Sequence, residues 1–532
     1  MASQDLAKKR QIEHTEDVNK NSLDVGSQIE KKFQDEMPDF DDSIEETTPS
    51  KAVWLITFTV AMGGFLFGYE TGVISAVLVT LGDDLGHPLT TSESELITSL
   101  TSGGALVGAV IAGLMADRFG RKAGIYVGCA LFFVGSVIWA SAFSIAQMSV
   151  ARFTVGLGVG SAAMIIPLYI GELAPAKHRG RMIAFDNMSV TLGQLVSYAL
   201  GAAFTNVPNG WRYMVAVGGV PPIILAILLP WCPESPRQLF SHGKIEEGTK
   251  VIARVYPHAT EAQVKAKVDR ILWNIEAEAE IVANKSLLWQ FKQLHCVPSN
   301  LRALICACAV MAISQLGGFN TLMYYSGTLF SLVGFDKPTA VSIVVGGTNF
   351  VFTILNMFII DKVGRRRILL VTVLGMAVSM IVAAVAFHWI PISRDLVLES
   401  ASVNWAGILV LVTIIFYVAF FASGVATIGW VGTELLPLEV RALGTMMNTV
   451  TCWGCNIIIA STFLSMMKGM TPSGAFGFYA GICFFGWIFV IICYPEVKGL
   501  PLEEVSQVFE HGFGVRRAAQ IQKARKAAQT AA

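Results

Sequence analysis

Glu70 is a carboxylate inside a stretch apolar enough to cross a membrane. It lies between Gly68 and Gly72, and residues 53–79 contain no other charged side chain. An ionised side chain at such depth costs about 3 kcal/mol on insertion scales, so membrane proteins rarely keep one without a task. Glu70 is therefore a candidate proton-binding group on a transport path. A buried ion pair that only orients helices is the alternative.

A second set of charged residues occurs in two copies. Residues 117–122 read DRFGRK and residues 361–366 read DKVGRR, and two further short motifs recur in the same order at nearly constant separation. The charged members are Asp117, Arg118, Arg121, Glu172, Arg179 and Glu234 in the first copy, and Asp361, Arg365, Glu434, Arg441 and Glu496 in the second. Ion pairs among them could open and close as a latch between two conformations. Permanent structural pairing is the alternative.

The elements that must position these residues are membrane helices. Hydrophobic residues make up 53% of the 532 residues and charged residues only 15%, with a mean hydropathy of +0.57. A soluble chain would carry about a quarter charged residues. We predict about twelve spans in two groups of six, each able to cross the hydrocarbon core as a helix. They lie near residues 53–79, 95–115, 123–143, 147–170, 184–205, 212–231, 302–327, 339–360, 368–390, 404–430, 442–467 and 474–494.

Charge in the loops predicts the orientation and the domain limits. Lys and Arg gather in alternate loops and in the C-terminal tail, so the positive-inside rule places both termini in the cytoplasm. The predicted divisions are a disordered polar tail (1–50), a six-helix bundle (51–231), cytoplasmic linker helices (232–300), a second six-helix bundle (301–494) and a C-terminal tail (495–532). Two homologous halves are typical of alternating-access carriers, which hold the substrate between them.

These motifs resemble those of sugar porters of the major facilitator superfamily, over residues 50–505. The resemblance rests on Gly68–Gly72, the two DxxGR loops, Arg152 with Gly156, and the PESPR and PEVKG segments that begin at residues 233 and 495. Several stretches, among them 96–105, 186–189, 193–198 and 232–239, resemble fungal myo-inositol transporters in particular. The resemblance implies an all-α membrane protein with the major facilitator fold.

The resemblance also implies roles for individual residues. The amides and aromatic rings implied to bind a polyol or sugar between the halves are Gln194, Gln315, Asn320, Asn349, Trp430, Trp453 and Asn456. Amides suit a substrate rich in hydroxyls because they both donate and accept hydrogen bonds. In proton-coupled members an acid at the Glu70 position pairs with an arginine at the Arg152 position, and protonation of the acid permits the conformational switch.

Four positions near the implied pocket depart from the family's usual residues. Ser314 replaces the first of two glutamines, Thr427 and Gly429 stand in a segment that usually contains proline, and Cys452 replaces an asparagine. Glu70 itself stands where the family usually has Asp. These departures bear on which solute is carried and on whether proton coupling is retained.

We therefore predict a secondary active transporter in the plasma membrane that moves myo-inositol or a related polyol or sugar, as a proton symporter. The alternatives are a facilitator or an exporter of another hydroxylated metabolite, and a transporter-like nutrient sensor. Its predicted partners are the substrate, protons and the lipid bilayer. An enzyme is disfavoured, and the sequence indicates no cofactor, no metal and no nucleic acid; the oligomeric state is open.

Overall fold

In a computed structural model the chain forms a helical bundle. The structure describes residues 41, 43–283, 287–393, 395–399, 403–498, 505, 508–510 and 512–531. The helices are α1 (Lys51–Val60), α2 (Met62–Thr80), α3 (Thr91–Phe119), α4 (Arg121–Ala140), α5 (Ile145–Leu173), α6 (Arg179–Phe204), α7 (Gly210–Gly218), α8 (Val220–Leu228), α9 (Pro236–Ser241), α10 (Ile245–Val255), α11 (Glu261–Ala283), α12 (Leu287–Cys296), α13 (Pro298–Leu316), α14 (Phe319–Val333), α15 (Pro338–Val363), α16 (Arg365–Phe387), α17 (Trp405–Ser423), α18 (Val425–Val431), α19 (Leu438–Cys493) and α20 (Val515–Ala531). Short 3₁₀ turns lie at Ser43–Glu46, Leu229–Trp231 and Gly432–Leu435.

The described helices provide the predicted membrane spans. Ten segments are long and apolar enough to cross a bilayer. The most C-terminal of them contains two spans, because α19 breaks at Thr471, where φ is +66° and Pro472 follows. Helix α6 packs within the bundle against α2 and α15 and supplies one more span, although its first turns carry Arg179 and Arg181. The prediction of an all-helical protein with about twelve spans is confirmed.

Several spans consist of two helices that meet at a break. Helices α1 and α2 join at Ala61, α7 and α8 at Gly219, α13 and α14 at Gly317–Gly318, and α17 and α18 at Gly424. Each break lies within a segment that is long and apolar enough to cross a bilayer. Such interruptions are tolerated where they are covered by protein or line a polar path.

The two DxxGR loops have the same backbone geometry. Gly120 ends α3 and precedes α4 with φ of +95°, and Gly364 stands between α15 and α16 with φ of +101°. Residues with a side chain rarely adopt this conformation, which explains glycine at both positions. We call the end of the bundle that carries these two loops the basic end, and the other the opposite end.

Among the described residues, the first half (α1–α8) and the second half (α13–α19) make most of their contacts along three pairs of helices. Helix α3 packs against α19, α6 against α15, and α2 against α14. Inside the first half, α3 and α5 approach so closely at Gly104 and Gly156 that a side chain at either would overlap the facing helix. This packing sets the position of α5, the helix that carries Arg152.

The predicted tail 1–50 lies mostly outside the described residues. Its last part, from Ser43 to Ser50, lies against the linker helices α10 and α11. The side chain of Ile44 is completely buried, and Glu45 forms an ion pair of 2.6 Å with Lys267. The domain limits drawn from the sequence stay predictions.

Candidate transport site

Glu70 and Arg152 form an ion pair buried inside the first half. Nη1 of Arg152 donates to Oε1 of Glu70, and Nε of Arg152 donates to the carbonyl oxygen of Ile97 at 3.2 Å. The side chains of Glu70 and Arg152 are 5% and 1% exposed. The Trp139 ring centroid lies 4.5 Å from the guanidinium carbon of Arg152, so the cation also contacts an aromatic face. Removing either partner would leave an uncompensated charge in an apolar interior.

The amides expected to form the substrate site are buried, except for the partly buried Asn320, and each is hydrogen-bonded to another side chain. Nδ2 of Asn349 on α15 donates to Oε1 of Gln194 on α6 at 2.6 Å, which joins the two halves. Nδ2 of Asn320 donates to Oε1 of Gln315 at 2.5 Å across the break between α13 and α14. Asn456 on α19 accepts a hydrogen bond of 3.3 Å from the hydroxyl of Tyr324. These groups come from both halves and lie in the middle of their spans.

The two tryptophans that the family resemblance implies in substrate binding, Trp430 and Trp453, differ in their surroundings. Trp453 on α19 is buried and packs against Phe67 of the first half, with ring centroids 5.7 Å apart. Among the described residues its Nε1 has no hydrogen-bond partner. Trp430 on α18 is 37% exposed. One indole is therefore part of the contact between the halves, and the other is accessible near the basic end.

At the basic end, a charged cluster joins three segments of the first half. Arg121 pairs with Glu172 through two hydrogen bonds of 3.0 and 2.9 Å, and with Asp117 at 3.1 Å. It also donates to the side chain of Gln238. Glu234 accepts backbone N–H groups from Arg121 at 3.1 Å and from the following residue at 3.2 Å. The cluster connects the α3–α4 loop, the end of α5 and the start of the linker.

The second half repeats part of this arrangement. Nη2 of Arg365 lies 4.0 Å from Oε2 of Glu434. Glu496 accepts the backbone N–H of the residue after Arg365 at 3.0 Å, as Glu234 does in the first half. Arg441 donates two hydrogen bonds to the carbonyl oxygen of Leu436, at 3.1 and 2.9 Å.

The structure does not bring every predicted latch residue into an ion pair. The guanidinium of Arg118 lies 5.5 Å from the ring centroid of Phe119, and among the described side chains neither Arg118 nor Arg179 has an acidic partner within 4.0 Å. The charge of Arg179 lowers the pKa of Tyr256, although burial raises that pKa more strongly. The side chain of Asp361 lies outside the described part of the structure.

Contacts that the sequence did not predict close the opposite end. Ser75 on α2 and Ser326 on α14 are hydrogen-bonded at 2.9 Å, and the hydroxyl of Tyr198 on α6 donates to the carbonyl of Met323 at 2.7 Å. Glu95 on α3 also bonds to α19. All join the two halves on the side of the amide site away from the basic end. In the sequence these residues are only polar side chains within or at the start of apolar spans, and they do not reveal their partners.

Comparison with known proteins agrees with this architecture. The family described as "Sugar (and other) transporter" matches residues 56–509. Myo-inositol transporter 1 of Cryptococcus neoformans var. grubii is 43% identical over 480 residues, which cover 90% of this chain and 85% of that protein. Myo-inositol transporter 1 of Saccharomyces cerevisiae is 42% identical over 478 residues, covering 88% and 81%. The solved structure of the proton:xylose symporter XylE bound to 6-bromo-6-deoxy-D-glucose has a TM-score of 0.71 and 26% identity, and covers 86% of this chain and 99% of that one.

The two helical halves and the polar groups between them define a transporter with the major facilitator fold. The chain belongs to the sugar (and other) transporter family. The resemblance noted from the sequence motifs is confirmed, and so is the prediction of a sugar or polyol transporter rather than an enzyme.

Proposed function

We propose that this protein takes up myo-inositol or a closely related polyol across the plasma membrane, together with protons, and that both termini face the cytoplasm. Relatives about 42% identical over most of the chain are myo-inositol transporters, which supports the substrate class. The structural similarity to a proton:xylose symporter supports the coupling ion. The segregation of Lys and Arg to alternate loops supports the orientation.

The observation that carries the proposal is the hydrogen bond between Gln194 and Asn349 across the two halves. Each amide uses one of its polar ends on the other, and the Gln315–Asn320 pair lies on the second half. A polyol that enters loses its hydration and must regain those hydrogen bonds from the site. Its hydroxyls can insert between Gln194 and Asn349 because a hydroxyl both donates and accepts. Substrate would then bridge the halves in place of the direct bond.

Proton coupling would act through the Glu70–Arg152 pair. Arg152 stays charged at any accessible pH, so the group that can change its charge is Glu70. Protonation of Glu70 removes the ion pair and leaves Arg152 with its hydrogen bond to Ile97 and its contact with Trp139. The packing between α2 and α5 is then free to adjust as the halves move.

The contacts at the opposite end indicate which conformation of the transport cycle the structure represents. Ser75, Ser326 and Tyr198 connect the halves there, and Trp430 near the basic end is partly exposed. With the proposed orientation this is an inward-facing arrangement. The Arg121–Glu172 cluster joins elements of one half and here holds that half together. A latch role requires such clusters to gain partners across the halves in the outward-facing conformation.

Uptake of labelled myo-inositol in yeast that lacks its own inositol carriers tests the substrate. We expect uptake above empty vector that rises when the medium is acidified and falls with an uncoupler. Uptake without either response would indicate a facilitator, in line with Glu70 replacing the more usual Asp. Failure to transport myo-inositol, with transport of another solute from a panel of polyols and sugars, would overturn the proposed substrate.

A further inference from the structure

Two asparagines of the second half use only part of their amide on protein partners. Nδ2 of Asn356 on α15 donates to Oγ1 of Thr427 at 2.8 Å, and Nδ2 of Asn448 on α19 donates to the carbonyl oxygen of Gly429 at 3.1 Å. The side chains are 2% and 1% exposed. Within the described part of the chain, no group pairs with either Oδ1. Turning either amide around would still leave one of its polar ends without a partner.

Both asparagines are placed in register with the implied substrate site. Asn356 follows Asn349 by seven residues on α15, which runs toward the basic end. Asn448 precedes Asn456 by eight residues on α19, which runs away from it. Two helical turns correspond to about 10–12 Å and return to a similar face. Each asparagine therefore lies two turns nearer the basic end than the site amide of its own helix.

The first half repeats the same spacing. Asp186 precedes Gln194 by eight residues on α6, a helix that starts at the basic end. The Asp186 side chain is 7% exposed, and its Oδ1 likewise has no hydrogen-bond partner among the described residues. Three helices from both halves thus carry a site amide and, two turns toward the basic end, a buried side chain with an unpaired oxygen.

Both asparagines donate their hydrogen bonds to the same short helix, α18. Thr427 and Gly429 receive the two amide hydrogen bonds, and Trp430 follows directly. Both positions depart from the proline-containing sequence usual in sugar porters. Thr427 supplies the hydroxyl that accepts the hydrogen bond from Asn356. These departures therefore coincide with a local polar arrangement.

We propose that Asn356, Asn448 and Asp186 form a second polyol-binding tier between the main amide site and the basic end. The inference rests on the proposed function and extends it to the release path. Buried oxygens without donors are costly, and an uncharged polyol offers several hydroxyl donors at once. A substrate leaving the main site would be held at this tier before it reaches solution, which lowers the barrier to release.

The first test compares transport kinetics in reconstituted vesicles. Asn356→Leu and Asn448→Leu keep the branched shape and the number of side-chain heavy atoms and remove the amide. Their controls are Thr348→Val on α15 and Thr449→Val on α19, whose hydroxyls bond to a carbonyl of their own helix at 2.8 and 2.9 Å. We expect the maximal efflux rate of myo-inositol to fall about 3- to 10-fold in the asparagine variants. The KM for entry should stay within about 2-fold because the main site is intact. Control-like efflux in both asparagine variants would overturn the tier.

The second test does not require transport. Asn356→Cys and Asn448→Cys are made as separate variants, so that each retains the other asparagine. The purified proteins are alkylated with a small neutral maleimide. Mass spectrometry follows the reaction of the cysteine at position 356 or 448. Thr348→Cys and Thr449→Cys are the controls. We expect myo-inositol to slow alkylation at positions 356 and 448 but not at the controls, also when Gln194→Ala and Asn349→Ala disable the main site.

The outcomes separate the two proposals. If myo-inositol no longer slows alkylation at positions 356 and 448 once the main site is disabled, the protection reports only a conformational change. This result would overturn the tier. Protection that persists in a chain unable to carry myo-inositol in cells would support the tier and overturn the proposed transport function. Normal transport without protection at either position would overturn the tier alone.

Discussion

Glu95 on α3 receives two hydrogen bonds from Ser465 on α19, one from the backbone N–H at 2.7 Å and one from the hydroxyl at 2.6 Å. The carboxylate is 4% exposed and comes from the first half, whereas the serine comes from the second. Hydrogen bonds to a charged group are about twice as strong as those between neutral groups. This pair therefore stabilises closure of the opposite end.

Glu95→Gln should shift the protein toward the conformation in which the opposite end is open. Replacing the carboxylate by an amide removes the charge-assisted bonds, a loss of about 1–2 kcal/mol or roughly a 5- to 30-fold change in population. The measurement is alkylation of Ser326→Cys from the opposite end by an impermeant maleimide, which should become faster in the Glu95→Gln background. Glu93→Gln is the matched control, since Glu93 caps its own helix through Thr90. If Ser326→Cys is alkylated at the same rate with and without the Glu95→Gln substitution, the proposed role of Glu95 is contradicted.

Asn349→Ala should weaken substrate binding more than it weakens protein stability. The substitution leaves Gln194 without its partner and removes an amide that would bind a hydroxyl. We expect the KM for myo-inositol to rise about 5- to 20-fold, which corresponds to one or two neutral hydrogen bonds.

The control for Asn349 is Thr348→Val, one position earlier on the same helix. Its hydroxyl bonds to its own helix, so transport should be unaffected. Counterflow of labelled myo-inositol in vesicles measures both variants. An unchanged KM in Asn349→Ala would exclude a direct contact between Asn349 and the substrate.

Much of the fold was predictable because its signals are local. Uninterrupted apolar runs predict the spans, and the glycines of the DxxGR loops indicate turns, which Gly120 and Gly364 form at positive φ. Helix α6 was predicted even though its first turns are charged, since the apolar run begins after Arg181.

Partners that are distant along the chain were not predictable from local pattern. Glu95 and Ser465 are 370 residues apart, and nothing near either residue specifies the other. The residues that the family resemblance implied, such as Gln194 and Asn349, do meet in the structure. Their roles stay predictions because contact alone does not show what they bind.

Glu45→Gln should loosen the segment from Ser43 to Ser50 from the linker helices. Burial raises the pKa of Glu45, but hydrogen bonds from Lys267, Tyr256 and the backbone N–H of Ala176, together with the charge of Lys267, lower it to below its ordinary value. A lowered pKa in the folded protein means that the stabilisation is present above the unfolded-state pKa and is lost as pH falls through the folded-state pKa.

At neutral pH we therefore expect Glu45→Gln to lower the melting temperature by about 1–3 °C. The difference from the unsubstituted protein should vanish in acid, below the pKa of Glu45. Glu46→Gln is the control, because Glu46 is exposed in the same turn. A difference that persists at low pH would show that the Glu45 carboxylate is not its cause.

Glu70→Gln should separate accumulation from exchange. Gln cannot release or bind a proton, so substrate movement can no longer be driven by the proton gradient, whereas exchange of internal for external substrate needs no net proton transfer. We expect accumulation of myo-inositol against a gradient to be lost and exchange to be retained in part.

Glu70→Asp is the matched control. It keeps a titratable carboxylate, shortened by one methylene, opposite Arg152 and should preserve acid-stimulated accumulation. Both rates are measured in the same vesicles with an imposed pH gradient. Full accumulation by Glu70→Gln would remove Glu70 from the coupling mechanism, and loss of exchange together with accumulation would assign the buried Glu70–Arg152 pair to structure alone.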